Sequence, residues 1–336
     1  MTFIQCRRVA VVLSFIVGVT VLSTSSRVPL LAQQAPAAAI DVVQVAPRVH
    51  LIAGDGGNIT VQTGPDGVVV VDSGTGQRSA EVLAAIDTLS DTPIRFILNT
   101  SSSRDRVGGN QAISAAGQAL GGGGQGANLA GGVRTGAARI AHENVLLRMA
   151  GNVNGQPRAP EPTWPTEGFT DKKEMYLNGE SIQMLYQPMA HSNGDALVVF
   201  RQSDVVVTGS ILDATRFPVI DLEAGGSIQG LIDALNVVVD LAIPPTPLVW
   251  QPGGTQVIPG QGRVLEEADV VEYRDMVTIV RDVIADMIKK GMTLEQIRAA
   301  QPTGGYTRRY GSDSGPWTTR MFVDAVYASL TKGAGR

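Results

Sequence analysis

Short runs of apolar residues alternate with glycine-containing turns in the first part of the chain after residue 41. Short runs rich in Val and Ile are typical of strands that are buried on both faces. The pattern predicts strands at Val49–Ala53, Ile59–Thr63, Gly67–Val71 and Ile94–Leu98. Between the last two, Ser79–Leu89 has apolar residues every three or four positions, which predicts a helix. This order of strands and helix indicates a layered α/β sandwich.

A second set of strands and helices is predicted further along the chain. The predicted strands are Ala138–Ala141, Glu174–Leu177, Ser181–Leu185, Ala196–Phe200, Val205–Val207, Leu248–Trp250 and Val257–Ile258. The predicted helices are His142–Met149, Ile228–Leu241, Glu267–Lys289, Leu294–Ala300 and Trp317–Leu330. Residues 117–137, with nine glycines, and residues 151–170 are predicted to be loops. We expect the first loop to be mobile, and it lacks the Lys-Ser/Thr ending of a phosphate-binding loop.

The N-terminal segment has the parts of an export signal. Two arginines near the start supply positive charge, Val9–Leu22 is a mostly apolar run of 14 residues, and small residues follow. A membrane span needs about 20 apolar residues, so this run is short for one. We expect a signal peptide at residues 1–32, with cleavage possible up to Ala37, and a linker at residues 33–41. The alternative is an uncleaved anchor, and only then do we expect contact with a membrane.

Composition limits the chemistry that is available to the chain. The net charge is -4 and the basic residues are not clustered, so we expect no nucleic-acid partner, because binding to phosphates needs a clustered basic surface. The only cysteine, Cys6, lies in the export signal, so the mature chain has no thiolate ligand. There are three histidines, His50, His142 and His191, and we expect His142 to lie on the surface or to cap a helix.

Five short motifs occur in order between residues 68 and 262. They read VVVVDSG at 68–74, NTSSSRDRVGGN at 99–110, AHSNGD at 190–195, VTGS at 207–210 and PGQG at 259–262. The second resembles N-T-H-x-H-x-D-H-x-G-G-N, the signature of the metallo-β-lactamase superfamily, and the other four resemble the remaining motifs of that superfamily. The resemblance covers roughly residues 42–265. It implies a four-layer αββα sandwich that hydrolyses esters, lactams or thioesters at a dinuclear zinc centre.

The ligand positions implied by the resemblance are mostly occupied by other residue types. Two positions keep their ligands, Asp105 and His191. The five positions that have lost theirs are Ser101, Ser103, Arg106, Ser210 and Gln261. The first three and Gln261 stand where the family has histidine, and Ser210 stands where it has a metal-bridging aspartate.

These replacements argue against zinc. A catalytic zinc ion needs about three ligands from His, Asp, Glu or Cys. Serine hydroxyls are poor zinc ligands, and the guanidinium of Arg106 stays protonated and repels a cation. Without the metal, an attacking water keeps a pKa far above neutrality. We therefore expect no metal and no other cofactor, although family members hold zinc.

The other motif residues have structural interpretations. We expect Asp105 to pair with Arg104 or Arg106 or to accept backbone N–H bonds. We expect Arg106 to reach into the vacated space beside Asp105 or His191, and the alternative is that it presents its donors to a carboxylate or phosphate ligand. Asp72 follows a buried strand, and we expect it to accept hydrogen bonds from loop N–H groups. We expect His191 to be a hydrogen-bonded structural residue. The glycines of the second motif are expected to permit close approach of backbones.

These observations predict a metallo-β-lactamase-like domain at residues 42–265 and a helical extension at residues 266–336. Our leading interpretation is an exported protein, periplasmic or secreted, that binds an unidentified small molecule or protein without catalysis. The alternative is a hydrolase with altered or metal-independent chemistry on an ester, lactam or thioester. One form of it is a Ser-His-Asp arrangement of a motif serine with His191 and Asp105, although no motif serine lies in a G-x-S-x-G sequence.

Overall fold

The structure, a computed structural model, describes residues 39–120, 136–151, 158–246 and 253–332. In this part of the chain two β-sheets lie face to face between layers of helices, which confirms the predicted αββα sandwich. The expected export signal, most of the glycine-rich segment and the strand expected at Leu248–Trp250 lie outside the described residues. None of the described helices is long and apolar enough to cross a membrane.

The first sheet has seven strands that neighbour one another in chain order. They are β1 (Asp41–Ala46), β2 (Val49–Ala53), β3 (Ile59–Gln62), β4 (Val68–Val71), β5 (Ile94–Leu98), β6 (Ala138–His142) and β7 (Glu167–Phe169). The first four strands pair antiparallel, and pairing is parallel from β4 onward. Parallel neighbours need crossover connections, usually helical. The helices of this half are α1 (Ser79–Leu89), α2 (Arg104–Val107), α3 (Asn110–Ala116) and α4 (Glu143–Met149).

The second sheet has five strands in the order β12-β11-β10-β9-β8. They are β8 (Lys172–Leu177), β9 (Glu180–Gln187), β10 (Asp195–Phe200), β11 (Val205–Asp213) and β12 (Gln256–Gln261). Only β11 and β12 pair parallel, and α5 (Ile228–Leu241) lies in the connection between them. The chain continues with α6 (Glu267–Lys289), α7 (Leu294–Ala299), α8 (Thr307–Tyr310) and α9 (Thr319–Lys332).

The central strands are apolar throughout because both of their faces are covered. Successive side chains of a strand point to opposite faces. In β4, Val69 and Val71 pack into the core between the sheets, whereas Val68 and Val70 pack against residues of α1 and α3. The strands of the second sheet alternate in the same way between the central core and α5, α6 and α9. The continuous apolar runs of the sequence therefore follow from the four layers.

The C-terminal helices share the core of the second sheet. Tyr273 of α6 and Phe322 of α9 are both buried in the cluster that includes α5 and the outer face of that sheet. Phe322 stacks on Phe217, which follows β11, with ring centroids 4.8 Å apart. These contacts fix α9 next to the segment that leaves β11.

Some elements differ from the sequence predictions. Residues 151–170 are not loop throughout, because β7 lies within them, and β1 begins inside the expected linker. Both strands are at sheet edges, where polar residues are tolerated: β7 has no apolar run, and Gln44 interrupts the valines of β1. The short helices α2 and α3 were not predicted, since stretches of four and seven residues are too short to show a helical period.

Phe322→Ala should lower the free energy of unfolding of the whole protein by about 3–5 kcal/mol, because it removes a fully buried aromatic ring. Urea unfolding measures this. Met321→Ala is the matched control, since Met321 is 41% exposed on the same helix, and it should change stability far less. A separate early transition in the Phe322→Ala variant would contradict a core that is shared by α9 and the sheet.

Candidate functional site

The five motifs meet at one edge of the sandwich, where strands of both sheets end. Their side chains line a cavity of about 230 Å³. The motif residues in its wall are Ser103, Asp105, Arg106, His191, Ser210 and Gln261. Ser101 and Asp72 are buried alongside and contact Ser210 and Arg106, respectively. All eight residues that the sequence singled out are therefore brought together.

The backbone of the second motif is held by polar contacts with neighbouring loops. The carbonyl oxygen of Arg106 accepts hydrogen bonds from Ser73 N and Oγ and from Asn99 Nδ2, at 2.9–3.0 Å. Gly108 and Gly109 lie so close to the neighbouring loop that a Cβ at either would be within 2.3 Å of a backbone oxygen. Close backbone approach is therefore confirmed as the role of the two glycines.

The guanidinium of Arg106 lies within the cluster of motif residues, and its side chain is only 3% exposed. Nη2 is 3.1 Å from Asp105 Oδ2, which is the ion pair expected from the sequence. Nε is 3.4 Å from Ser210 Oγ and 3.9 Å from Asp72 Oδ2. Arg104, by contrast, is exposed and makes no ion pair with Asp105. One arginine, and not two, neutralises that carboxylate.

Two glycines make room for the Arg106 side chain. A Cβ built on Gly57 would lie 2.9 Å from Nη1, and one built on Gly260 would lie 2.3 Å from Nη2. Gly57 belongs to the loop between β2 and β3, and Gly260 belongs to β12, so the guanidinium fits between elements of the two sheets. Nη1 is buried without a hydrogen-bond partner among the described residues.

At several positions where the family has a metal ligand, the side chain of this protein makes hydrogen bonds to other protein groups. Ser101 Oγ and Ser210 Oγ are 3.0 Å apart, and Ser101 Oγ also accepts the N–H of Ser103 at 3.3 Å. Gln261 Nε2 donates to the carbonyl oxygen of Gly56. These hydroxyl and amide groups are engaged in local contacts that hold the loops together.

The residues at this site do not fit a zinc ion. The described residues contain no group of three or more His, Cys, Asp or Glu side chains that could hold a metal ion. The guanidinium of Arg106 contacts Asp105, one of the two surviving ligand types, and a fixed positive charge there opposes binding of a second cation.

Asp72 supports the loop that follows β5. Its two carboxylate oxygens accept hydrogen bonds from Thr100 N, at 2.8 Å, and Thr100 Oγ1, at 2.7 Å, which confirms the expected contact with loop N–H groups. Its φ of 61° lies in the left-handed region that non-glycine residues rarely adopt. Burial outweighs the opposing effects of Arg106 and Thr100 and raises the pKa of Asp72 to about 7.

His191 is buried beside an aspartate that the sequence did not single out. Nδ1 lies 3.5 Å from Asp195 Oδ1 but makes no hydrogen bond in the described structure, so the hydrogen bond expected from the sequence is not formed at this atom. Burial favours the neutral imidazole, but the carboxylate of Asp195 outweighs it, so the pKa of His191 is raised from its usual value. No hydrogen bond joins His191 to a serine hydroxyl in the described part of the chain, so the Ser-His-Asp arrangement is not formed with Asp105.

His142 has a structural role. Its Nδ1 caps α4 by accepting the N–H of Asn144 at 3.2 Å, which confirms the capping interpretation. Its ring stacks on Tyr186 with centroids 3.8 Å apart.

Other cavity residues lie outside the sequence motifs. Asp213, Arg216 and Val219 come from the end of β11 and the segment after it. The predicted strand stopped at Val207, whereas β11 continues to Asp213. The apolar pair Ile211-Leu212 was the one signal in the sequence for this continuation.

Comparison with solved structures identifies the fold. A metallo-β-lactamase from Pontibacter korlensis superposes with a TM-score of 0.51 at 15% identity, over 71% of this chain and 99% of that one. The DIM-1 metallo-β-lactamase gives a TM-score of 0.51 at 13% identity, over 72% and 98%. The chain has the metallo-β-lactamase fold. No protein-family model and no curated protein sequence matches it.

A longer metallo-β-lactamase-fold protein matches more of this chain. The inverting sec-alkylsulfatase Pisa1 from Pseudomonas sp. superposes with a TM-score of 0.59 at 14% identity and covers 86% of this chain. This chain spans half the length of that alkylsulfatase. At these identities the comparisons establish the fold alone.

Arg106→Ala should lower the free energy of unfolding by about 3–5 kcal/mol, because it leaves the carboxylate of partly buried Asp105 without its cation. Arg104→Ala removes the same charge from an exposed neighbouring position and should have little effect. The free energies of unfolding of the two variants, measured by urea unfolding, test this prediction. Equal effects would show that Arg106 is not a structural cation.

Asp72→Asn should remove a pH dependence of stability. The unfolded chain releases the Asp72 proton near pH 3.8, whereas the folded chain keeps it until about pH 7. The folded state therefore holds more protons in this window, and wild-type stability should fall as pH rises from about 4 to about 7, by roughly 4 kcal/mol for this group alone. The raised pKa of His191 acts in the same direction. Urea unfolding between pH 4.5 and 7 should show a flatter profile for the variant, and an unchanged profile would contradict the assignment.

Proposed function

We propose that this chain is an exported, metal-independent binding protein in which an arginine has replaced the metal centre of the metallo-β-lactamase fold. The observation that carries the proposal is the buried guanidinium of Arg106, paired with Asp105 and set against Ser210 and Asp72. A cation is thus built into the chain at the place where the motifs converge. The export part of the proposal is supported by the N-terminal sequence alone.

The site favours binding over hydrolysis for a chemical reason. Hydrolysis in this superfamily depends on a metal that lowers the pKa of the attacking water, and a guanidinium has no open coordination position for a water. The cavity that remains is small and polar, with Ser103, His191 and Gln261 in its wall. Such a lining can orient a polar ligand group by hydrogen bonds.

A metal-independent hydrolase is the second candidate, and the contact between His191 and Asp195 favours it. A carboxylate next to Nδ1 holds an imidazole in the tautomer that general-base catalysis uses. No hydroxyl in the described structure is hydrogen-bonded to His191, so water would have to be the nucleophile. A residual esterase activity that is lost in His191→Gln would favour this candidate.

Purified wild-type protein should contain well under one equivalent of zinc after dialysis against zinc-free buffer, and it should hydrolyse neither a β-lactam nor a secondary alkyl sulfate. Elemental analysis and substrate assays measure these outcomes. Two tightly bound zinc ions per chain would refute the proposal. A variant that restores all five ligand positions provides the comparison: Ser101→His, Ser103→His, Arg106→His, Ser210→Asp and Gln261→His.

The restored variant should bind zinc, because the loops that carry the five positions already converge. Hydrolytic activity need not return, since it also requires neighbouring groups that hold the metal ligands in the correct orientation. A variant that folds but takes up no zinc would show that the motif positions have been matched incorrectly.

A further inference from the structure

The polar cavity adjoins a larger groove. Ser103, His191 and Val219 line both the 230 Å³ cavity and a neighbouring groove of about 640 Å³. Cavities of about 300–1,000 Å³ are typical of small-molecule sites. One elongated ligand can therefore occupy the groove and reach into the cavity.

The groove has an apolar surface that is formed by the segment after β11 and by α9. Its apolar residues are Val219, Ile220, Leu222, Trp317, Met321, Ala325 and Ala328. Met321 is 41% exposed, which leaves its surface open to a ligand. The wall is fixed in place, because Phe322 anchors α9 in the core and Arg298 Nε and Nη2 bind both carboxylate oxygens of Asp324 at 2.6 and 2.7 Å.

The polar cavity has hydrogen-bond donors in its wall that are free to meet a ligand. The carboxylate of Asp105 is paired with Arg106, and that of Asp213 forms an ion pair with Arg216 Nε at 2.9 Å and accepts hydrogen bonds from Thr215 N and Oγ1. The two terminal nitrogens of Arg216 and the hydroxyl of Ser103 have no hydrogen-bond partner in the described structure. A ligand oxyanion is the group that would satisfy such donors.

The groove itself disfavours negative charge. The carboxylate of Asp221 lies in its wall, beside the ion pair of Asp324 with Arg298. A ligand with one anionic end is thereby oriented, with the charged end in the cavity and the apolar part in the groove.

We propose that the cavity and the groove together bind one amphiphilic monocarboxylate, with its head at Arg216 and Ser103 and its chain along α9. This assignment rests on the metal-free site of the proposed function, since a bound metal would itself take the carboxylate.

Isothermal titration calorimetry with hexanoate, octanoate and decanoate, below their micelle concentrations, tests the ligand class. Affinity should rise with chain length, by up to about four-fold for each methylene that is buried. Decyltrimethylammonium, with the same chain and a cationic head, should bind at least ten-fold more weakly than decanoate. Equal binding of the two decyl compounds, or no binding of decanoate at millimolar concentration, would overturn the proposal.

Matched variants test the two ends of the site. Met321→Asn should weaken decanoate binding by about ten-fold and flatten the dependence on chain length, whereas Ile279→Asn, at a 46% exposed position on α6 outside the groove, should change neither. Arg216→Gln should remove the preference for decanoate over decanol. Arg104→Gln removes a charge nearby but lines neither cavity, and it should leave that preference intact. Decanoate binding that is insensitive to both Met321→Asn and Arg216→Gln would show surface adsorption only and would overturn the assignment.

Zinc analysis of the same preparations separates the two proposals. Zinc-free protein that fails to discriminate by chain length or head group refutes the groove assignment alone. Protein that holds two zinc ions refutes the proposed function, whatever its affinity for decanoate.

Discussion

A positive charge buried in a protein must be matched by negative charge and hydrogen bonds, and the site of this chain is organised around that requirement. The charge is the guanidinium of Arg106. Asp105 and Asp72 approach it from different loops, and Ser210 approaches it from the second sheet. The glycines at positions 57 and 260 are what leave space for it. Loss of one of these contacts, or of the space that the two glycines leave, would leave a buried charge without a partner. The loops from both sheets therefore depend on the side chain of Arg106.

The sequence predicted the layers of the fold because their cause is local. An apolar run such as Val68–Val71 needs cover on both faces, and the alternation of its side chains between two cores bears this out. It also predicted the ion pair of Asp105 with Arg106, since the two residues are adjacent and the pair stands where ligand residues stood in the family. Elements with no apolar period, such as β7 and α2, carry no comparable signal and were missed.

The rest of the site could not be predicted because it depends on packing between distant segments. Arg216 enters the cavity only because β11 extends to Asp213. The position of α9 beside the cavity is set by the stacking of Phe322 on Phe217, residues that are far apart in the chain. These contacts depend on how side chains of different layers pack together. The sequence determines that packing, but no local pattern in it shows which distant residues meet.

A cation that is covalently part of the chain is never in equilibrium with the surroundings. A protein whose loops are held by a bound metal gains stability through mass action, so its folding follows the free metal concentration and is lost to chelators. Arg106, by contrast, is present at one per molecule under every condition. Under the proposed function, the loop arrangement of this chain is therefore uncoupled from metal supply.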